Sequence, residues 1–259
     1  MKHYDNNQKR TADYFKKFDR KKILKSLVNK QKPIIFDVGA NLGQSLSEFK
    51  LWWKDSEVHC FEPQEECWKK LEEIKNNFLD KEVFINKFAV SSASEKTKIF
   101  YSHEVDNTRG TSGFNKINLD SSDSIYLNDL KNSKSSDLKV EDYKKTINHQ
   151  REVQVLRADK YMENLDIKHI DLLKIDTQGH EPEVLEGFGS RLGDVSCVIT
   201  ELMFYDYYER SLSFSDLEKF LLPAGFQLYD INHIVKNPMN GRTDWVDVIY
   251  VNNKHRGMF

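Results

Sequence analysis

The stretch that most constrains the fold is residues 33–43, P-I-I-F-D-V-G-A-N-L-G. Ile34, Ile35, Phe36 and Val38 form a short apolar, partly β-branched run, the signature of a buried strand. Gly39 and Gly43, with Asn41 between them, break that run. Residues 44–54 then place Leu46, Phe49, Leu51 and Trp53 at roughly helical spacing. The unit reads strand, glycine turn, helix. Such a turn lets a ligand approach bare backbone, and the helix start offers free N–H groups.

The next unit narrows the ligand. Residues 57–61, E-V-H-C-F, alternate like a second strand and lead into Glu62-Pro63. Glu62 follows the glycine turn by about twenty residues, the spacing at which an acid accepts hydrogen bonds from ribose hydroxyls. A nucleoside ligand fits both features. The turn is not G-x-G-x-x-G, which disfavours a dinucleotide. Alone, an ordinary βα turn with a surface Glu would read the same way.

The remaining chain alternates strand and helix patterns. Residues 63–76, with Cys67, Trp68, Leu71 and Ile74, predict a second helix. Residues 83–90 predict a third strand, and 97–101 a short one paired antiparallel with a neighbour. A strand at 153–156 precedes a helix at 158–164. The apolar strand at 170–175 runs into D-T-Q-G-H-E-P, where Pro182 suits the first residue of a helix. A fifth strand at 195–200 ends at Glu201. A helix at 213–222, with Ser213 and Asp216 near its start, stops at Gly225. Strands at 227–231 and 246–251, joined by a loop at 232–245, close the chain as a hairpin. The pattern predicts an α/β fold with a doubly wound, mainly parallel sheet and one antiparallel strand. Ligands of such sheets sit at the carboxyl ends of the strands. Asp37 to Gly43, Glu62, Asp176 to Glu181 and Glu201 all fall there.

Composition sets the bounds. A chain of 259 residues, 39% hydrophobic and 31% charged, suits one α/β domain with elaborations, or at most two. With a net charge of −2, no long-range field draws it to nucleic acid or to an anionic membrane. Lys16-Lys17 and Arg20-Lys21-Lys22 read as the wet face of a helix. In the lead-in at residues 1–30, Phe15, Phe18, Ile23, Leu24 and Leu27 give one apolar stripe, expected to pack over the sheet edge or the ligand cleft. Cys60, Cys67 and Cys197 are odd in number and lack metal-knuckle spacing, as free thiols in a reducing compartment would. No apolar signal region or membrane-length run occurs. The expectation is a soluble cytoplasmic protein without nucleic-acid binding or stable membrane insertion; a homodimer is compatible with it. Residues 102–152, rich in Ser, Asn, Asp and Lys, read as a substrate-side insertion with a short helix near 141–147. Its polar patch N-T-R-G-T-S contains Arg109, Thr111 and Ser112, either ligand contacts or a solvated turn.

Four motifs carry a family resemblance: F-D-V-G-A-N-L-G, F-E-P, F-A-V-S and L-L-K-I-D-T-Q-G-H-E-P-E-V-L-E-G. Together, from about residue 33 to 252, the chain resembles class I methyltransferases and, within them, the FkbM family. The resemblance implies a seven-stranded Rossmann-like domain over residues 31–259, interrupted by the insertion. It implies S-adenosylmethionine as cofactor, held by Asp37, Gly39, Ala40, Asn41, Gly43, Glu62, Pro63, Ala89 and Asp176. It further implies methyl transfer, commonly to a hydroxyl of a sugar or of a glycosylated or polyketide product.

An alcohol acceptor must lose a proton as its new bond forms, so a general base is expected. His180, at a helix start that would keep its ring neutral, is one candidate; a plain surface histidine is the alternative. Asp176 and Glu201 are the others. Glu201 could instead orient His180, bind acceptor hydroxyls or, with Asp176, hold a metal; the spacing supports no metal assignment. Tyr207 and Tyr208 follow the fifth strand and are candidate platforms for a sugar, or members of a packing cluster. Two rival functions stand beside O-methylation. One is N-methylation of a small molecule or protein, against which D-T-Q-G-H counts. The other is a non-catalytic binding module, against which Gly39, Gly43 and Glu62 count.

Overall fold

A computed structural model describes residues 6–78, 82–93, 96–103, 110–121, 145–238 and 240–255. Two short helices open it, α1 (Asn7–Lys17) and α2 (Arg20–Leu27). The break between them is set by Asp19, whose carboxylate accepts the Lys22 N–H and caps α2. The core alternation follows: β1 (Ile34–Val38), α3 (Gln44–Trp52), β2 (Glu57–Phe61), α4 (Glu65–Asn77) and β3 (Val83–Asn86). After β4 (Ala89–Val90), β5 (Thr97–Ser102) and β6 (His149–Leu156) come α5 (Ala158–Asn164), β7 (Ile170–Ile175) and α6 (Glu181–Phe188). A 3₁₀ turn leads to β8 (Val195–Met203), α7 (Phe214–Leu221), β9 (Phe226–Lys236) and β10 (Thr243–Asn252).

The main sheet has seven strands in the order β3-β2-β1-β7-β8-β10-β9. All run parallel except β10, which is antiparallel to both neighbours. This is the Rossmann-like sheet with one reversed strand. Period-two alternation feeds two cores. Ile35, Leu172, Ile199 and Ile249 pack under α2, α3 and α4. Phe36, Leu173, Val198 and Val248 pack under α5, α6 and α7. The central strands β1 and β7 are covered on both faces, which is why their sequences show apolar runs; the edge strand β9 is largely exposed.

Some boundaries differ from the sequence reading. The expected strand at 83–90 is two strands in two sheets. Asn86 ends β3, and its side-chain amide donates to the Cys60 carbonyl at 3.1 Å. β4 then pairs with β6 in a second sheet of order β4-β6-β5. Its strands β5 and β6 flank the insertion; most of the helix expected at 141–147 lies outside the described residues. β8 continues past Thr200 because β10 pairs with it as far as Met203. Glu201 is thus inside the strand, opposite Asp247. The closing hairpin is longer than expected, with register shifts that absorb a bulge at His233, φ 45°.

Candidate active site

The exits of β1, β2 and β7 converge at the carboxyl edge of the sheet. Gly39 (φ 82°) donates its N–H to the Phe61 carbonyl at 3.0 Å. A Cβ on Gly39 would lie 1.9 Å from the Asp176 carbonyl oxygen, so only glycine lets the two exits meet. Asn41, also left-handed at φ 46°, donates its N–H to Glu62 Oε2 at 2.8 Å. Glu62 Oε1 accepts the Gln64 N–H at 2.8 Å. Glu62 is buried, and burial pushes its carboxyl up to about 7 against the pull of those two donors. Around this group lies a cleft of about 530 Å³, open at its mouth. Gly39 and Asn41, Glu62 and Pro63, Ala89 and Val90, and Asp176 to Gln178 form its floor and sides. Phe100 and the segment Ser112 to Phe114 close it from the second sheet.

A second open cleft, about 510 Å³, adjoins the first at Asp176. Its polar wall is Arg20, Ser45, Lys174, Asp176, Thr200, Glu201, His233 and Asp247. A third, about 300 Å³, is lined by Gln178, Glu181, Glu201, Tyr205, Tyr208 and Arg210 among others. Glu201 faces both of these. Burial holds its carboxyl well above the usual range, reinforced by the charges of Asp176, Asp247 and Glu181.

The sequence from residue 37 to 228 matches the family model for the methyltransferase FkbM domain. The chain belongs to the FkbM methyltransferase family. No curated protein matches the sequence. Among solved structures, a methyltransferase FkbM from Methylobacillus flagellatus KT aligns at 15% identity with a TM-score of 0.48, over 85% of this chain and 44% of that one. A precorrin-6y C5,15-methyltransferase from Geobacter metallireducens aligns at 10% identity and TM-score 0.45, over 89% and 86%. A 1,6-didemethyltoxoflavin N1-methyltransferase from Burkholderia thailandensis aligns at 11% and 0.45, over 94% and 83%. At such depth the family match carries the assignment: the chain is an S-adenosylmethionine-dependent methyltransferase.

The residues fit that donor. The first cleft combines a glycine cradle, a buried carboxylate beside a turn and an apolar lid, as an adenosine with a charged tail requires. The FkbM chain places its other expected site residues as follows. Asp37 is fully buried and does not line the cleft; strand alternation turns it beneath the β1 exit, 3.3 Å from Lys174 Nζ. Ala40 is buried and donates its N–H to the Phe61 carbonyl. Gly43 starts α3 under α4, where a Cβ would strike Ile74 at 2.7 Å. Both shape the turn without facing the cleft.

His180 is not brought to the cleft. It is 2% exposed, with Nε2 3.0 Å from Ser91 Oγ, Nδ1 3.4 Å from Glu183 and its ring against Phe114 at 4.2 Å. Burial drives its pKa well down, and Lys98 and Arg210 add to this. The ring is neutral, as expected, but sealed behind the cleft's lid. Tyr207 is buried with Ile117, Ile147, Tyr205 and Tyr208, in the cluster that fastens the insertion to the end of β8. It offers no platform. Tyr208 is also buried, yet it lines the third cleft, and its hydroxyl lies 2.8 Å from the Thr111 carbonyl and 2.7 Å from Gln178 Oε1. Ser112 lines the first cleft and accepts the His103 N–H; Thr111 contributes its carbonyl to Tyr208. Arg109 lies outside the described residues.

Sequence reasoning missed Lys174. Its ammonium is 3.3 Å from the Gly39 carbonyl, from Asp37 Oδ1 and from Asp176 Oδ2. Burial opposes its charge, but Asp37 and Asp176 outweigh this and hold its pKa above the ordinary lysine range. A lysine inside an apolar strand, L-L-K-I, was the available signal.

Proposed function

We propose that this enzyme methylates a hydroxyl of a carbohydrate, as a free glycan, a glycolipid or a glycosylated natural product. The observation that carries the reading is the second cleft: a wall of Asp176, Glu201 and Asp247 with Arg20 and Thr200, which shares Asp176 with the donor cleft. Carboxylates accept paired hydrogen bonds from neighbouring hydroxyls, and the guanidinium donates to ring and hydroxyl oxygens. The three free, buried thiols suit a reducing compartment, the cytoplasm.

The donor, when bound, supplies a methyl group already activated on a sulfonium. The protein's work is then alignment, exclusion of water and removal of one proton. Glu62 and the Asn41 turn hold the nucleoside end. Phe100 and Phe114 keep water from the cleft. The acceptor's hydroxyl proton passes to Glu201, whose enclosed carboxylate is the better base for being held above its ordinary range. Asp176, at the junction, orients the hydroxyl.

A screen of sugars and glycolipids for labelled methyl uptake identifies the acceptor. With it, Glu201→Gln should lower turnover by roughly 10²–10⁴-fold while leaving affinity for S-adenosylhomocysteine unchanged. Wild-type turnover should rise with pH through the Glu201 titration and flatten above it. His180→Ala should cost far less. The opposite ranking would return the proton to the histidine, and uptake by amines alone would remove the hydroxyl acceptor.

A further inference from the structure

The apolar stripe of the lead-in splits in the structure. Ile23 and Leu24 of α2 are buried in the sheet's core. Phe15 is 74% exposed and Phe18 45%, and α1 buries no residue. Tyr14 ties α1 to β9 by a hydroxyl hydrogen bond to Asp230 at 2.9 Å. Lys25 Nζ reaches the Trp52 carbonyl at 3.1 Å, which sets α2 beside the end of α3. There Leu51 is 72% exposed. Three apolar side chains are thus left in water around a run of lysines.

Charge is as uneven as exposure. Residues 7–27 hold eight Lys and Arg against two Asp, a net of +6. The whole chain carries −2, so the remainder carries −8. The near-neutral total conceals a basic segment on an acidic body. Lys16, Lys21, Lys22 and Lys25 are all exposed.

We propose that α1 and α2 form a docking face for the surface of an anionic lipid bilayer. Phe15 and Phe18 enter the headgroup boundary, and the exposed lysines meet lipid phosphates. Exposed aromatic and aliphatic groups beside a lysine-rich helical face are what interfacial binding uses, since neither feature alone holds a protein to a membrane. A second copy is disfavoured as occupant, because a two-fold contact would set one +6 face against another. A nucleic acid would satisfy the lysines but leaves the aliphatic Leu51 with nothing to stack on. The face is peripheral: no helix among the described residues is long and apolar enough to cross a membrane.

Docking has a consequence for the enzyme. Arg20 of α2 also walls the second cleft and lies 4.0 Å from Asp247. The helix that would lie on the bilayer therefore borders the cleft that would take the acceptor. A lipid-carried acceptor would be presented where it is used. The docking proposal itself holds for any acceptor class.

Flotation of the full chain with vesicles tests it. Wild-type protein should float with phosphatidylcholine vesicles containing roughly a third phosphatidylglycerol and not with phosphatidylcholine alone, and high salt should release it. The triple variant Lys16→Glu, Lys21→Glu, Lys22→Glu should lose about tenfold or more in partitioning. The pair Phe15→Ser, Phe18→Ser should lose about as much. Affinity for S-adenosylhomocysteine should be unchanged in both, which shows that they are folded. Equal binding to neutral vesicles, absence of binding, or wild-type partitioning of both variants would overturn the proposal. So would a dimer in sedimentation that the phenylalanine pair dissolves while flotation persists, or a single-stranded RNA that binds the face more tightly than vesicles do.

Discussion

At the scale of single residues, the joint between β1 and β7 rests on Lys174. One buried ammonium compensates two carboxylates and binds the Gly39 carbonyl. Neither oxygen of Asp37 has a hydrogen bond among the described residues, so its charge depends on that ion pair. Lys174→Met should therefore cost about 3–5 kcal/mol in urea unfolding, because it leaves a buried carboxylate unpaired. Adding Asp37→Asn should recover most of the loss. If the double variant is no more stable than the single one, the pair is not what Lys174 serves. The strand's apolar pattern was legible in the sequence, but its inward lysine was not, since a partner on the neighbouring strand, far away along the chain, leaves no local mark.

At the scale of elements, α6 shows how packing overrides propensity. Gly187 lies within this helix, where Ala would ordinarily be favoured by about 1 kcal/mol. Here a Cβ would meet the Ser91 carbonyl at 2.4 Å, just beyond β4. Gly187→Ala should destabilise by about 1–3 kcal/mol, measured by chemical unfolding. A gain in stability would mean that α6 can move off β4. The same junction explains His180, which caps α6 and is trapped against Ser91. From D-T-Q-G-H-E-P the helix start could be read, with Glu181 and then Pro182 opening it. The direction of the histidine could not, because Ser91, just beyond β4, reaches it from 89 residues earlier.

At the scale of the molecule, buried carboxylates set the response to pH. Glu181 is 2% exposed, and burial pushes it up to about 7, although Thr177 donates to it through N–H and hydroxyl. Its ordinary value is 4.5. Between these values the unfolded chain gives up its proton while the folded chain keeps it, so stability falls as pH rises through the window and stays lower above it. Glu181→Gln should gain about 2–3 kcal/mol at pH 8 and almost nothing at pH 4. Thermal melts at both pH values check this; an equal change at both would assign the effect to packing.

The sequence by itself determined the order of elements, the glycine turn at residues 39–43, the acid at the end of β2 and the methyltransferase family. These are local patterns: apolar period, turn chemistry and spacing along one strand–helix unit. Only the tertiary structure decided which polar groups share a cleft. It turned Asp37 and His180 inward, buried Tyr207 under the insertion, and brought Asp176 from the exit of β7 together with Glu201 of β8 and Asp247 of β10. It also left Phe15 and Phe18 in water, where the sequence stripe had predicted packing. The reason is the same in each case. Periodicity says which face of an element is apolar, but what meets that face depends on contacts between segments far apart in the chain.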